Sequence, residues 1–158
     1  MIRIKMVREI FENDLNDFDF IEQIDFKDID LLAEAMYKAY KDTPDYENDS
    51  VEDFRNELRR MKANLYGKLI PEACLYVKAK EEIVAAIFVC NFRGEATMTY
   101  CFTNPEYRDR GVGQGLINYA ENELKKLGYK HFYLYLTLAN KLAYNLFESL
   151  GFTETEIN

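Results

Sequence analysis

One histidine, three cysteines and no apolar stretch of membrane-spanning length set the first limits on this 158-residue chain. A crossing helix needs roughly 18 or more consecutive apolar residues, and none approaches that. The first residues, MIRIKMVREIFEND, lack the apolar centre of a secretory signal. A cytoplasmic location is therefore expected. Cys74, Cys90 and Cys101 form no C-x-x-C and each lies in a strand-like run, so buried free thiols are expected, with no metal site and no disulfide. A single His131, at the start of a strand-like run, reads as structural or surface-exposed before catalytic. Glycine is also sparse, with seven in all, yet three fall within five residues, at 111, 113 and 115.

What is present describes a globular protein. A hydrophobic fraction of 48% and an aromatic fraction of 15% can fill a core. The length fits one domain spanning residues 1–158, with 1–24 hard to read. The net charge of −8 is uneven, because residues 9–57 hold 17 acidic and 4 basic side chains. That half reads either as an ordinary solvated acidic surface or as a field that attracts a cation. Nucleic acid is a poor partner for it, and no membrane partner is expected.

Periodicity gives the order of elements. Ile2, Ile4 and Met6 alternate, as do Phe18, Phe20 and Ile24, suggesting one or two short strands. From Phe26 to Lys41 apolar residues recur at helical spacing until Thr43-Pro44-Asp45 breaks the pattern. Ser50 and Asp53 form a capping box for a second helix, with Val51, Phe54, Leu58, Met61 and Leu65 on one face. Strands are expected over Ala73–Ala79, Ile83–Phe92 and Ala96–Thr103, the last two joined by a turn at Arg93-Gly94. A helix carrying Leu116, Ala120, Leu124 and Leu127 ends at Gly128. The strand His131–Thr137 and a short helix over Asn140–Leu150, closed by Gly151, complete an α/β (α+β) domain. No repeat, linker or low-complexity tract interrupts it.

Residues 105–116, Pro-Glu-Tyr-Arg-Asp-Arg-Gly-Val-Gly-Gln-Gly-Leu, join a strand to a helix. Their glycines expose backbone N–H groups, the helix N-terminus adds partial positive charge, and Arg108 and Arg110 add full charges. This chemistry suits a diphosphate. A dinucleotide fingerprint does not fit, since Leu116 stands at its last glycine and Lys130 and His131 stand where an acidic residue is wanted. A P-loop requires Gly-Lys-Ser/Thr, which is absent.

The loop's pattern, R-x-x-G-x-G, is followed downstream by Asn-x-x-Ala-x-x-x-Phe-x-x-x-Gly-Phe. Together these resemble the GNAT superfamily of acyl-CoA-dependent N-acetyltransferases, over about residues 100–152. Arg108, Gly111 and Gly113 fall on the family's acyl-CoA loop. Asn140, Ala143, Phe147, Gly151 and Phe152 fall on its second motif. The resemblance implies a mixed central sheet with two N-terminal helices and two splayed parallel strands around acetyl-CoA. It further implies a cofactor site built from Phe102, Thr103, Arg108, Asp109, Arg110, Gly111, Val112, Gly113, Gln114, Asn140 and Phe147. Backbone groups near Phe102 and Thr103 would hold the pantetheine and thioester. Asn140 reads equally as a helix N-cap, and its position permits both roles.

The activity implied is transfer of an acetyl group to a primary amine of a small molecule or peptide, by direct attack through a tetrahedral intermediate. A cationic acceptor would suit the acidic half, and a homodimer is an open expectation. The family commonly has tyrosine as general acid where this chain has Phe147. Tyr144 is the substitute at hand, or else a packed aromatic. Glu95 is the carboxylate available near the fourth strand as a base, or else an exposed turn residue. Tyr46 and Glu47 are further candidates for a base or an ammonium attractor, and Tyr133 and Tyr135 could line the acceptor pocket. Without an acid or an obvious base, the alternative is a non-catalytic acyl-CoA-binding module of the same fold.

Overall fold

The computed structural model describes residues 2–11, 20–44 and 46–157. Among the described residues eight strands form one sheet: β1 (Arg3–Glu9), β2 (Ile21–Gln23), β3 (Lys68–Leu69), β4 (Leu75–Ala79), β5 (Glu82–Phe92), β6 (Glu95–Thr103), β7 (His131–Thr137) and β8 (Thr153–Thr155). Among the same residues four helices accompany it: α1 (Ile29–Tyr40), α2 (Val51–Lys62), α3 (Val112–Lys126) and α4 (Lys141–Ser149). The strand order is β2-β4-β5-β6-β7-β1-β8, with β3 also paired to β5. Every pairing is antiparallel except β6–β7. A parallel pair needs a crossover, and α3 supplies it.

The sheet is covered on both faces. Leu116, Ile117, Ala120 and Leu124 of α3 pack with Val84, Ile87, Met98 and Phe132 on one face. On the other, Leu32 and Met36 of α1 and Phe54, Leu58 and Met61 of α2 pack with Ile83, Ala86, Phe88 and Phe102. Strand β5 lies between these layers, so its run Ile83–Cys90 is buried without alternation.

Several boundaries differ from the sequence expectation. The Phe26–Lys41 helix begins with a 3-10 turn at Phe26–Asp28, because the Asp25 side chain accepts from the Lys27 N–H and starts a tighter turn. Leu65 lies beyond α2 and is exposed, since the helix ends at Lys62. The Ser50–Asp53 capping box forms as expected. Pro71–Ala73 makes a 3-10 turn, which delays β4 to Leu75. The N-terminal alternation does make a strand, and β1 lies inside the sheet between β7 and β8. Phe18 and Asp45 lie outside the described residues. The two-residue β3 and the exposed β8 carried too little apolar pattern to be expected.

Candidate active site

Strands β6 and β7 pair only over Ala96–Met98 and Phe132–Leu134. Beyond those residues both strands continue, to Thr103 and Thr137, without pairing to each other. A bulge marks the place of divergence. On β5, Phe88 pairs with Tyr100 and Val89 with Met98, leaving Thr99 as an extra residue on β6. A bulge bends its strand and re-aims its backbone groups. Here it turns β6 away from β7 and opens a cleft of about 280 Å³.

The cleft is lined from both strands by Thr99, Tyr100, Cys101, Leu134, Tyr135 and Leu136, and from α4 by Ala143 and Phe147. Tyr46 and Asp49, from the α1–α2 connection, also line it. At the C-terminal end of β6 the chain passes through a 3-10 turn at Pro105–Tyr107, fixed by Asn104, whose side chain accepts from the Glu106 N–H. The buried Asn104 also donates to Glu82 at 3.2 Å, tying the turn to β5.

The glycine loop follows this turn and leads into α3. Asp109 and Gly111 take left-handed backbone conformations, with φ of 65° and 75°. Glycine adopts that conformation without penalty, which accounts for position 111. The N-cap position of α3 makes no side-chain hydrogen bond, so the first-turn N–H groups lack the usual capping oxygen. A Cβ at Gly113 would lie 3.3 Å from Thr103 Oγ1, so glycine lets the helix start sit close against the end of β6. These features form an anion cradle beside the cleft. Arg110, Gly111, Val112, Gly113 and Gln114 make up the cradle, whose chemistry suits a diphosphate.

The other residues expected at the site are placed as follows. The Arg108 guanidinium donates to the Ala39 carbonyl at 2.9 Å, so one of its donors ties the loop to the C-terminal turn of α1. Phe102 is buried against the α1–α2 layer, and it pairs with Ala86 of β5. Asn140 caps α4, accepting from the Ala143 N–H at 3.1 Å, and also lines the cleft. Phe147 lines the cleft and meets Phe152 edge-to-face at 5.7 Å.

Neither expected acid–base residue lines this cleft. The Tyr144 phenol is pushed up, first by hydrogen bonding with Glu154 of β8 and then by burial, and Tyr144 is absent from the cleft lining. Glu95 sits at the paired end of β6 and accepts from Lys5 Nζ at 2.8 Å. Lys5 has only 4% of its side chain exposed and lies over the Tyr133 ring at 4.6 Å. Burial pulls its ammonium down, yet the Glu95 hydrogen bond and neighbouring charges raise it on balance. Tyr133 therefore belongs to a structural cluster, whereas Tyr135 lines the cleft. His131 is exposed and lies outside the cleft lining. Glu47 is likewise exposed and outside it, while Tyr46 donates to the Asp49 carbonyl at 2.9 Å.

A different carboxylate approaches the bulge. The Tyr100 hydroxyl donates to Glu57 Oε2 of α2 at 2.5 Å, and the Tyr66 hydroxyl donates to the other oxygen. Burial first, and then the Glu57 carboxylate, hold the Tyr100 phenol well above its ordinary value. Tyr100 lines the cleft and also a second cavity of about 490 Å³, which Glu57 lines as well. In sequence, Glu57 sits beside Leu58 on an apparently plain amphipathic helix. Only the bulge, which puts Thr99 and Tyr100 at the point of splay, makes it significant. The cleft also contains Cys101, whose thiol burial pushes up to about 12. A thiol held that high is a poor nucleophile at neutral pH.

Comparison with known proteins places this geometry. The profile of the Acetyltransferase (GNAT) family matches residues 30–152. The [ribosomal protein bS18]-alanine N-acetyltransferase of Escherichia coli is 36% identical over 63 residues, covering 40% of this chain and 43% of that relative. The chain therefore spans less than half the length of that curated relative in the matched region. Among solved structures, the PaiA N-acetyltransferase of Thermoplasma acidophilum in complex with coenzyme A superposes with a TM-score of 0.69 at 22% identity, covering 87% of this chain and 91% of that one. The crystal structure of the Escherichia coli ribosomal-protein-S18-alanine enzyme gives a TM-score of 0.65 at 21% identity, covering 86% and 78%. These structural likenesses concern the fold.

Proposed function

We propose, from the premise that this chain belongs to the GNAT acetyltransferase family, that it transfers the acetyl group of acetyl-CoA to a primary amine. One observation carries the reading: the anion cradle at the start of α3 and the β6–β7 cleft adjoin, with the Thr99 bulge at the apex of the splay. Diphosphate, pantetheine and thioester have chemically suitable surroundings in that order. Acetyl-CoA would supply an activated acetyl electrophile, and this chain's residues would hold, polarise and deprotonate.

The N–H groups of the cradle and Arg110 bind the diphosphate, and Asn140 and Phe147 border the cofactor arm. Unpaired backbone groups of β6 beyond Met98 orient the thioester. A backbone N–H near the bulge stabilises oxygen charge as the amine adds; loss of such a donor costs about 2.7–4 kcal/mol in other enzymes. The amine nitrogen forms the new C–N bond as the carbonyl oxygen takes the charge. The nitrogen's proton passes to the Tyr100 oxygen as Tyr100 hands its own to Glu57, and Glu57 afterwards returns its proton to solvent. The C–S bond breaks when this intermediate collapses. Sulfur departs as thiolate and is protonated from solvent, because Phe147 has no proton to give. A thiol with pKa near 8.5 is a tolerable leaving group without help.

The high thiol pKa of Cys101 favours direct transfer without an acyl-enzyme. Incubation with acetyl-CoA and a panel of primary amines, with free thiol measured, tests the reading. Amine-dependent thiol release with an acetylated product is expected. Release no faster than hydrolysis, across the panel, would overturn it in favour of a non-catalytic acyl-CoA-binding module.

A further inference from the structure

The larger cavity, on the α2 side of the splay, has a distinctive distribution of charge. Its floor is an edge-to-face pair, Phe92 and Tyr135, with ring centroids 6.5 Å apart. A guanidinium rests on each ring: Arg3 lies 4.8 Å from the Tyr135 centroid and Arg93 lies 5.0 Å from that of Phe92. Both arginines line the cavity, and among the described residues neither is ion-paired to a carboxylate. Glu57 supplies the cavity's carboxylate, and it already accepts from Tyr66 and Tyr100.

We propose that this cavity takes a small acceptor carrying both a primary amine and a carboxylate. This rests on the acetyltransferase reading above and adds the acceptor's chemical class. The amine lies toward Tyr100 and Glu57, beside the bulge that opens into the cofactor cleft. The carboxylate lies over the Arg3–Arg93 floor. Guanidinium groups laid on aromatic rings are weakly hydrated and keep their N–H edges for planar, bidentate recognition of a carboxylate. A purely cationic diamine would gain at Glu57 but face two positive charges. A neutral amine would leave both guanidiniums without a partner. The volume, about 490 Å³, lies within the range of small-molecule sites.

The test compares matched acceptors with acetyl-CoA: β-alanine against β-alaninamide, and lysine against cadaverine. In the unaltered protein kcat/KM should favour the carboxylate-bearing partner by about tenfold or more. In the double variant Arg3→Gln/Arg93→Gln that ratio should fall to near one. Preference for the amide or the diamine, or a carboxylate preference that survives in the double variant, would overturn the proposal. If no amine is acetylated, the transferase reading fails separately, and calorimetry on the CoA-loaded protein decides the pocket. Binding of β-alanine but not its amide, lost in the double variant, supports the proposal, and equal binding or none overturns it.

Discussion

Replacing Glu57 by glutamine probes the proton path while preserving shape. Glu57 accepts Tyr100 at 2.5 Å through one oxygen and Tyr66 through the other, with Arg60 at 3.6 Å. Its side chain is 21% exposed, so these bonds form partly out of water. Glutamine keeps one acceptor oxygen and exchanges the other for a donor. The net structural loss is about one charge-assisted hydrogen bond, or about 1.5–3 kcal/mol. For a chain of this size each kcal/mol corresponds to about 2–4 °C in Tm, so a fall of about 3–12 °C is expected. Loss of the proton acceptor should lower kcat by about 10²-fold or more. The KM for acetyl-CoA should hold, because Glu57 is absent from the cofactor cleft lining. Thermal unfolding and thiol-release kinetics on Glu57→Gln and Tyr100→Phe separate the two effects. A kcat within about twofold of the unaltered protein, accompanied by the stability loss, would reduce the Tyr100–Glu57 pair to a structural contact and refute the relay.

Four other outcomes follow from the same geometry. Phe147→Tyr places a hydroxyl at the cleft, and steady-state assays should show kcat rising by about tenfold, below the full range for general acids because the thiol already leaves readily. Cys101→Ala should leave the kinetic mechanism unchanged, with no burst of CoA release on rapid mixing without acceptor, as a thiol pushed up to about 12 requires. Glu95→Gln leaves Lys5 buried without its carboxylate; chemical denaturation should show a loss of about 3 kcal/mol, with kcat changed less than about threefold. The Asp28 carboxyl is held below its ordinary value, chiefly by the Tyr76 hydroxyl and also by Lys78. Its stabilisation is complete above the unfolded-state value near 4 and disappears as pH falls through the lower folded value, a loss that Asp28→Asn should abolish in acid-unfolding curves.

Much of the architecture was readable because its signals are local. Two amphipathic helices, a run of apolar strands and the glycine loop declare themselves through periodicity and composition. The strand His131–Thr137 ends where expected, and Asn140 takes the cap position that its side chain suggested. The acid–base residues depend on long-range contacts instead. Glu95 is near the splay in sequence, but the strand pairing puts it at the closed end, and Lys5, 90 residues away, neutralises it there. Tyr144 lies four residues after Asn140, yet Ala143 and Phe147 line the cleft and Tyr144 does not, its phenol being pushed up by Glu154 of a strand too short to predict. The Tyr100–Glu57 contact joins residues 43 apart across the sheet–helix interface. A one-residue bulge at Thr99 creates its relation to the site, and no local pattern encodes a bulge of that kind.

A crystal structure with acetyl-CoA bound is the sharpest test of the proposed transferase site. The diphosphate is expected on the N–H groups of residues 110–114, the pantetheine between β6 and β7, and the acetyl carbonyl beside the Thr99 bulge with Tyr100 facing the acceptor side. A cofactor bound away from the β6–β7 cleft, or a thioester remote from Thr99 and Tyr100, would contradict it.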